Sequence, residues 1–139
     1  MCAVSSQVIQ NFLSLQSKKD NPLILALDYN PKNLELLSQF LGREGYQVLT
    51  ANSIEEFEQA LMHSQEIDLA LVDIAGFDHQ IWQVCDRLRS QNIPFFVLSH
   101  KQNVAIQQQS LVHGAKSMLV KPLVIKELLG IIRSLLGTT

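Results

Sequence analysis

The stretch Leu69-Ala70-Leu71-Val72-Asp73 decides the fold: four apolar residues in a row, closed by an acid. An amphipathic helix spaces its apolar residues three and four apart, and a half-exposed strand alternates them. An uninterrupted run this short reads instead as a strand buried on both faces, the mark of a parallel sheet covered by helices. The pattern recurs outward in both directions. Leu23-Ile24-Leu25-Ala26-Leu27 closes in Asp28, Phe95-Phe96-Val97-Leu98 in Ser99, and Met118-Leu119-Val120 in Lys121-Pro122. In open α/β sheets the carboxyl ends of the strands share one edge, and ligands bind there. Two acids, a hydroxyl and an amine therefore converge on one crevice, a set of groups suited to phosphate.

The intervening segments have helical period. Asn30 as N-cap and Pro31 at the first helical position start a helix through Leu34, Leu37 and Leu41. Gln47–Ala51 is a short second strand, after which Ser53 and Glu56 spell a capping box. Ile81, Val84, Cys85 and Leu88 have core spacing, Asn103 to Val112 forms a helix stopped by Gly114, and Val124 to Leu136 forms the last one. Strictly alternating strands and helices with right-handed crossovers give a doubly wound, three-layer sandwich. Ahead of it, Val4, Val8, Ile9, Phe12, Leu13 and Leu15 are close to helical spacing. The division expected is an N-terminal helical extension over 1–21 and a main domain over 22–139, the extra helix packing on its own domain or mediating a homodimer.

Bulk composition excludes several classes. A chain of 139 residues is one domain by size, and 47% hydrophobic with 17% charged residues suits a well-buried sheet. A net charge of −2 provides no basic field for nucleic acid. No apolar run approaches the ~20 residues of a membrane span, and Met1 to Ser6 lacks the features of a signal peptide, so a cytoplasmic protein is expected. Cys85 reads as a small core residue; His63, His79, His100 and His113 are spaced too irregularly for a metal site and read as surface or loop residues.

With Asp28-Tyr29, Asp73, Ser99 and Lys121-Pro122 in order on successive strand ends, the chain from about Pro22 to Leu136 resembles a response-regulator receiver domain of two-component signalling. The resemblance implies a flavodoxin-like α/β fold with five parallel strands in the order 2-1-3-4-5. It implies that Asp73 accepts a phosphoryl group, that Ser99 and Lys121 contact the phosphoryl oxygens, and that Asp28, Asp73 and the Ala75 carbonyl hold Mg²⁺. The chemistry is coherent: a carboxylate can attack phosphorus to give an acyl phosphate, provided cations and donors neutralise and position the oxygens. The implied donor is a sensor histidine kinase or phosphotransfer protein docking near Asn30, Asn33 and Leu37, and the implied readout is a downstream effector protein. The signalling surface would include Gln107, Gln108, Leu111, Lys126, Leu129 and Arg133. The expected function is that of a stand-alone receiver, not an enzyme. The alternative is a pseudo-receiver that binds partners without phosphorylation. A flavin or nucleotide enzyme is disfavoured because Asp28-Tyr29-Asn30-Pro31 contains no glycine.

The chain departs from the family pattern at informative places. Tyr29 stands where the resemblance expects a second acid, and a phenol with an ordinary pKa of about 10 brings no charge to a cation near neutral pH. Weak Mg²⁺ binding and slow phosphorylation by small donors follow. The loop Ala75-Gly76-Phe77-Asp78-His79 is unusual, with Asp78 a weak candidate to replace the missing carboxylate. His100 follows Ser99 where a small residue is usual, and Met118 replaces the expected aromatic switch residue on the fifth strand.

Overall fold

The structure is a computed structural model that describes residues 21–63, 66–100 and 103–136. The expected N-terminal helix lies outside the described residues. Five strands, β1 (Leu23–Leu27), β2 (Gln47–Ala51), β3 (Leu69–Asp73), β4 (Phe95–Ser99) and β5 (Ser117–Val120), alternate with five helices. These are α1 (Pro31–Arg43), α2 (Ile54–His63), α3 (Ile81–Ser90), α4 (Val104–Val112) and α5 (Ile125–Leu136). The sheet is wholly parallel, as the apolar runs predict, in the order β2-β1-β3-β4-β5 that the resemblance implies.

Alternation along each central strand explains why the apolar runs are continuous. Leu25, Leu27, Ala70, Val72, Phe95 and Val97 face a core shared with Phe57 and Leu61 of α2 and with Ile81, Val84, Cys85 and Leu88 of α3. Their neighbours Ile24, Ala26, Leu69, Leu71, Phe96 and Leu98 face the opposite core, filled by Leu34 and Leu41 of α1 and by Leu128, Leu129 and Ile132 of α5. Each central strand thus buries both of its faces, and a polar residue within the run would have no solvent to reach. At about 25 cal/mol per Å² of apolar surface, these two layers dominate stability.

The helix starts follow their caps. The Asn30 side chain accepts from the Lys32 amide at 2.9 Å, with Pro31 next in line. Ser53 Oγ accepts from the Glu56 amide at 3.1 Å, while the Glu56 carboxylate reaches back one residue further than a standard capping box, to the Asn52 amide at 2.8 Å. Asn103 caps α4 by accepting from the Ala105 amide at 2.8 Å. α4 differs from the other helices: Ser110 is its only fully buried residue, and its hydroxyl donates back to the Ile106 carbonyl at 2.8 Å.

Candidate functional site

Strand register builds the site. Leu27 lies beside Val72, so Asp28 emerges next to Asp73. Asp73 lies beside Leu98 and Ser99 beside Val120, which brings the hydroxyl and then Lys121 to the same edge. The Lys121 amide donates to the Ser99 carbonyl at 2.8 Å, fixing where the lysine side chain begins. Ser99 is buried at the end of β4, and the Lys121–Pro122 peptide is cis.

Asp73 is buried at 1% exposure, unusual for a carboxylate without compensation. Compensation is present on both oxygens: the Lys121 ammonium donates to Oδ2, and the Ala75 amide donates to Oδ1 at 3.0 Å. Lys121 is itself largely buried, so the ion pair is screened much less than a surface pair. Asp28 accepts from the Asn30 amide at 2.9 Å. Burial is the main cause that holds the Asp28 carboxyl above its ordinary value, with the Asp73 carboxylate adding to it; the Asn30 amide, Lys121 and Asn33 pull the other way.

Two carboxylates in mutual repulsion are hard oxygen donors that fit a divalent cation such as Mg²⁺, and the Ala75 carbonyl is the further donor that the resemblance implies. They number one fewer than the resemblance requires, and no cluster of three or more acids, histidines or cysteines occurs among the described residues. Tyr29 adds nothing to the donor set. It is 63% exposed, and its ring lies over Gly76 and meets Phe77 edge-to-face, with centroids 5.8 Å apart. Asp78 does not substitute: it is exposed and accepts from the Gln80 amide at 2.9 Å in the turn leading to α3.

Asp28, Asp73 and Lys121 open into a groove of about 530 Å³ between α1 and α5. Its walls are apolar, with Leu36, Phe40, Leu123 and Ile125 among them, and His100 stands at its rim. Asn33 and Leu37 of the expected docking helix also line it, whereas Asn30 is occupied with capping.

One member of the expected signalling surface is placed differently: Leu129 is buried in the α1–α5 core. Arg133 is exposed, and its guanidinium donates to Glu44 at the end of α1, 2.8 Å away. Gln107, Gln108, Leu111 and Lys126 are exposed. His113 is more than a loop residue. Its ring stacks on Trp82 at 5.4 Å, and its Nδ1 lies 2.7 Å from Asp86. Arg89 completes this knot by donating to the Val112 carbonyl at 3.0 Å, with Gly114 (φ +102°) leaving no room for a Cβ beside it. Trp82, Asp86 and Arg89 fall on one helix face, four and three residues apart, which is the signal in the sequence that α3 has a polar partner there.

An acid pair, a hydroxyl and a lysine at the carboxyl edge of a doubly wound parallel sheet define a receiver-type domain. The chain matches the response regulator receiver domain over residues 24–133, and it belongs to that family. Among curated relatives, it is similar to the heme response regulator HssR of Staphylococcus saprophyticus, 26% identical over 81% of this chain and 50% of that protein. It is 32% identical to the transcriptional regulatory protein GltR of Pseudomonas aeruginosa, over 81% of this chain and 48% of that protein. The chain thus spans about half the length of these relatives. In fold it is similar to a two-component response regulator from Clostridium difficile, with a TM-score of 0.77 at 24% identity, covering 85% of this chain and 98% of the other. No helix of the described residues is long and apolar enough to cross a membrane.

Proposed function

We propose that this receiver domain accepts a phosphoryl group on Asp73 from a histidine kinase or phosphotransfer protein, with Mg²⁺ held weakly. The observation that carries this reading is the buried Asp73 carboxylate paired with Lys121, beside Asp28 and at the mouth of an open groove. Phosphoryl transfer asks little covalent chemistry of a protein beyond positioning and charge neutralisation. Asp73 Oδ2 is the nucleophile once Lys121 shifts from it to the incoming phosphoryl oxygens. Ser99, at the end of β4, supplies a hydroxyl donor to a second oxygen. A solved relative of the same fold, from Burkholderia pseudomallei, carries a phosphorylated aspartic acid and a calcium ion, in line with that chemistry; its TM-score is 0.71 at 22% identity over 85% of this chain and 68% of the other.

Mg²⁺ would be held by Asp28, Asp73 and the Ala75 carbonyl, and its charge would stabilise the transferring phosphoryl group. Loss of outer partners alone typically costs metal sites 10–100-fold in affinity, and Tyr29 removes an inner one. The apolar groove along α1 suits a helical donor domain, whose phosphohistidine would reach Asp73; the P–N bond breaks as Oδ2 bonds to phosphorus, and the donor's imidazole is the leaving group. The readout is a partner protein on the α4–β5–α5 side, where Leu111 and Val120 are exposed. The domain transfers no group to another substrate and serves as a signalling partner, not an enzyme.

Intact mass after incubation with acetyl phosphate and Mg²⁺ tests the reading. One phosphoryl adduct on the wild type, absent from Asp73→Asn, supports it. Tyr29 favours one competing reading, a pseudo-receiver; absence of the adduct at high Mg²⁺ and with a phosphorylated donor protein selects that alternative.

A further inference from the structure

We propose that Tyr29 and Phe77 form an aromatic clasp that positions the loop carrying Ala75 over Asp73 without a metal ion. The inference rests on the phosphoacceptor reading of Asp73 and concerns how that site is kept in shape. Asp28 belongs to the β1–α1 loop and Ala75 to the β3–α3 loop, so a cation bound to both would tie the two loops together. In this chain the residue after Asp28 makes that tie directly.

Three observations converge on it. The rings of Tyr29 and Phe77 meet at 90° with centroids 5.8 Å apart, the edge-to-face geometry that aromatic pairs favour. Gly76 lies beneath the tyrosine: a Cβ there would come within 3.0 Å of Tyr29 Cγ and 3.1 Å of its Cβ. The backbone of Gly76 is also at φ +85°, a region that L side chains rarely adopt. Phe77 in turn packs against the core that α2 and α3 share, so the exposed tyrosine is anchored through it to the interior. Between the two rings the loop is closed by the Phe77 amide, which donates to the Ile74 carbonyl at 3.2 Å, and by the Ala75 amide on Asp73. The Tyr29 atoms that a side chain at Gly76 would meet are Cβ and ring carbons, so the hydroxyl is dispensable for the clasp.

Tyr29 is therefore a positioning residue, and metal dependence of loop order is the readout that separates this role from a merely exposed aromatic. Hydrogen exchange of residues 74–79 in the full chain, with EDTA and with excess Mg²⁺, supplies it. The wild type and Tyr29→Phe should be equally protected already in EDTA, and excess Mg²⁺ should add less protection to either than it adds to Tyr29→Asp. Tyr29→Ala should exchange roughly two- to tenfold faster, the factor corresponding to loss of an edge-to-face pair. Tyr29→Asp should exchange fast in EDTA and slow down on adding Mg²⁺. Unchanged protection in Tyr29→Ala would overturn the clasp, as would a wild-type loop that responds to Mg²⁺ as strongly as Tyr29→Asp. None of these readouts needs phosphorylation, so an Asp73 that never accepts phosphate leaves the clasp standing and fails only the functional reading.

Discussion

α3 and α4 flank the same sheet face and are held to it by different means. α3 buries Ile81, Val84, Cys85 and Leu88 in the core and reaches the site through a loop pinned by Gly76 and Phe77. α4 buries only Ser110, leaves Val104, Leu111 and Val112 exposed, and is fastened at its C-terminal end by the Trp82–His113–Asp86 knot. The acid side of the site is therefore built on rigid packing, and the Ser99 side leads into a helix with little core to hold it. Capture of a phosphoryl oxygen by Ser99 and Lys121 would be felt on the α4 side, where a small free energy suffices to shift a population.

The largest effect should separate the two helices in stability. Leu88→Ala removes a fully buried side chain and should cost about 2–5 kcal/mol. Ile106→Ala, at a half-buried position on α4, should cost about 1 kcal/mol. Denaturant melts of both variants check this, and equal losses would break the comparison. His113→Ala should cost roughly 0.5–1.5 kcal/mol, the scale of a stacked ring pair. It should also shift the emission of Trp82, the single tryptophan, and speed amide exchange in α4 while leaving α3 protected. Exchange rising equally in both helices would mean that the knot supports α3 as well.

On the acid side the expected effect is smaller and depends on pH. Burial raises the Asp28 carboxyl above its unfolded value of 3.8, so the folded chain keeps this proton longer than the unfolded one. Stability then falls as pH rises from 3.8 to the raised folded value, and the penalty persists above it. In EDTA, Asp28→Asn should accordingly melt higher than the wild type near neutral pH and lose that advantage below the ordinary aspartate range. An advantage that survives in acid would assign the gain to something other than charge. The smallest effect concerns α3 itself. Burial pushes the Cys85 thiol up to about 12, so a thiol reagent should leave Cys85 untouched in the native state and label it only on unfolding. Native labelling would show α3 to be looser than its packing implies.

How much of this was legible in the sequence follows from the physics of each element. Leu69–Val72 and its sister runs announce a doubly buried parallel sheet, and that sheet type places Asp28, Asp73, Ser99 and Lys121 on one edge whatever the loops do. Asn30, Ser53 and Asn103 mark helix starts because their caps act within a few residues. The face of α5 was harder to read: Ile125, Leu128, Leu129, Ile131 and Ile132 wrap most of the helix, so sequence periodicity did not decide that Leu129 turns inward. The Tyr29–Phe77 contact joins two loops from different βα units, and no local pattern encodes it. Tyr29 was legible only as an absent charge, and what its ring does instead required the fold.

The most direct measurement is chemical mapping of the acyl phosphate. Borohydride reduction of the acetyl-phosphate-treated protein, followed by peptide mass spectrometry, converts a phosphorylated aspartate to homoserine. The account predicts homoserine at Asp73 alone, formed slowly and faster in Tyr29→Asp. Reduction at another acid, or none in either protein, would contradict it.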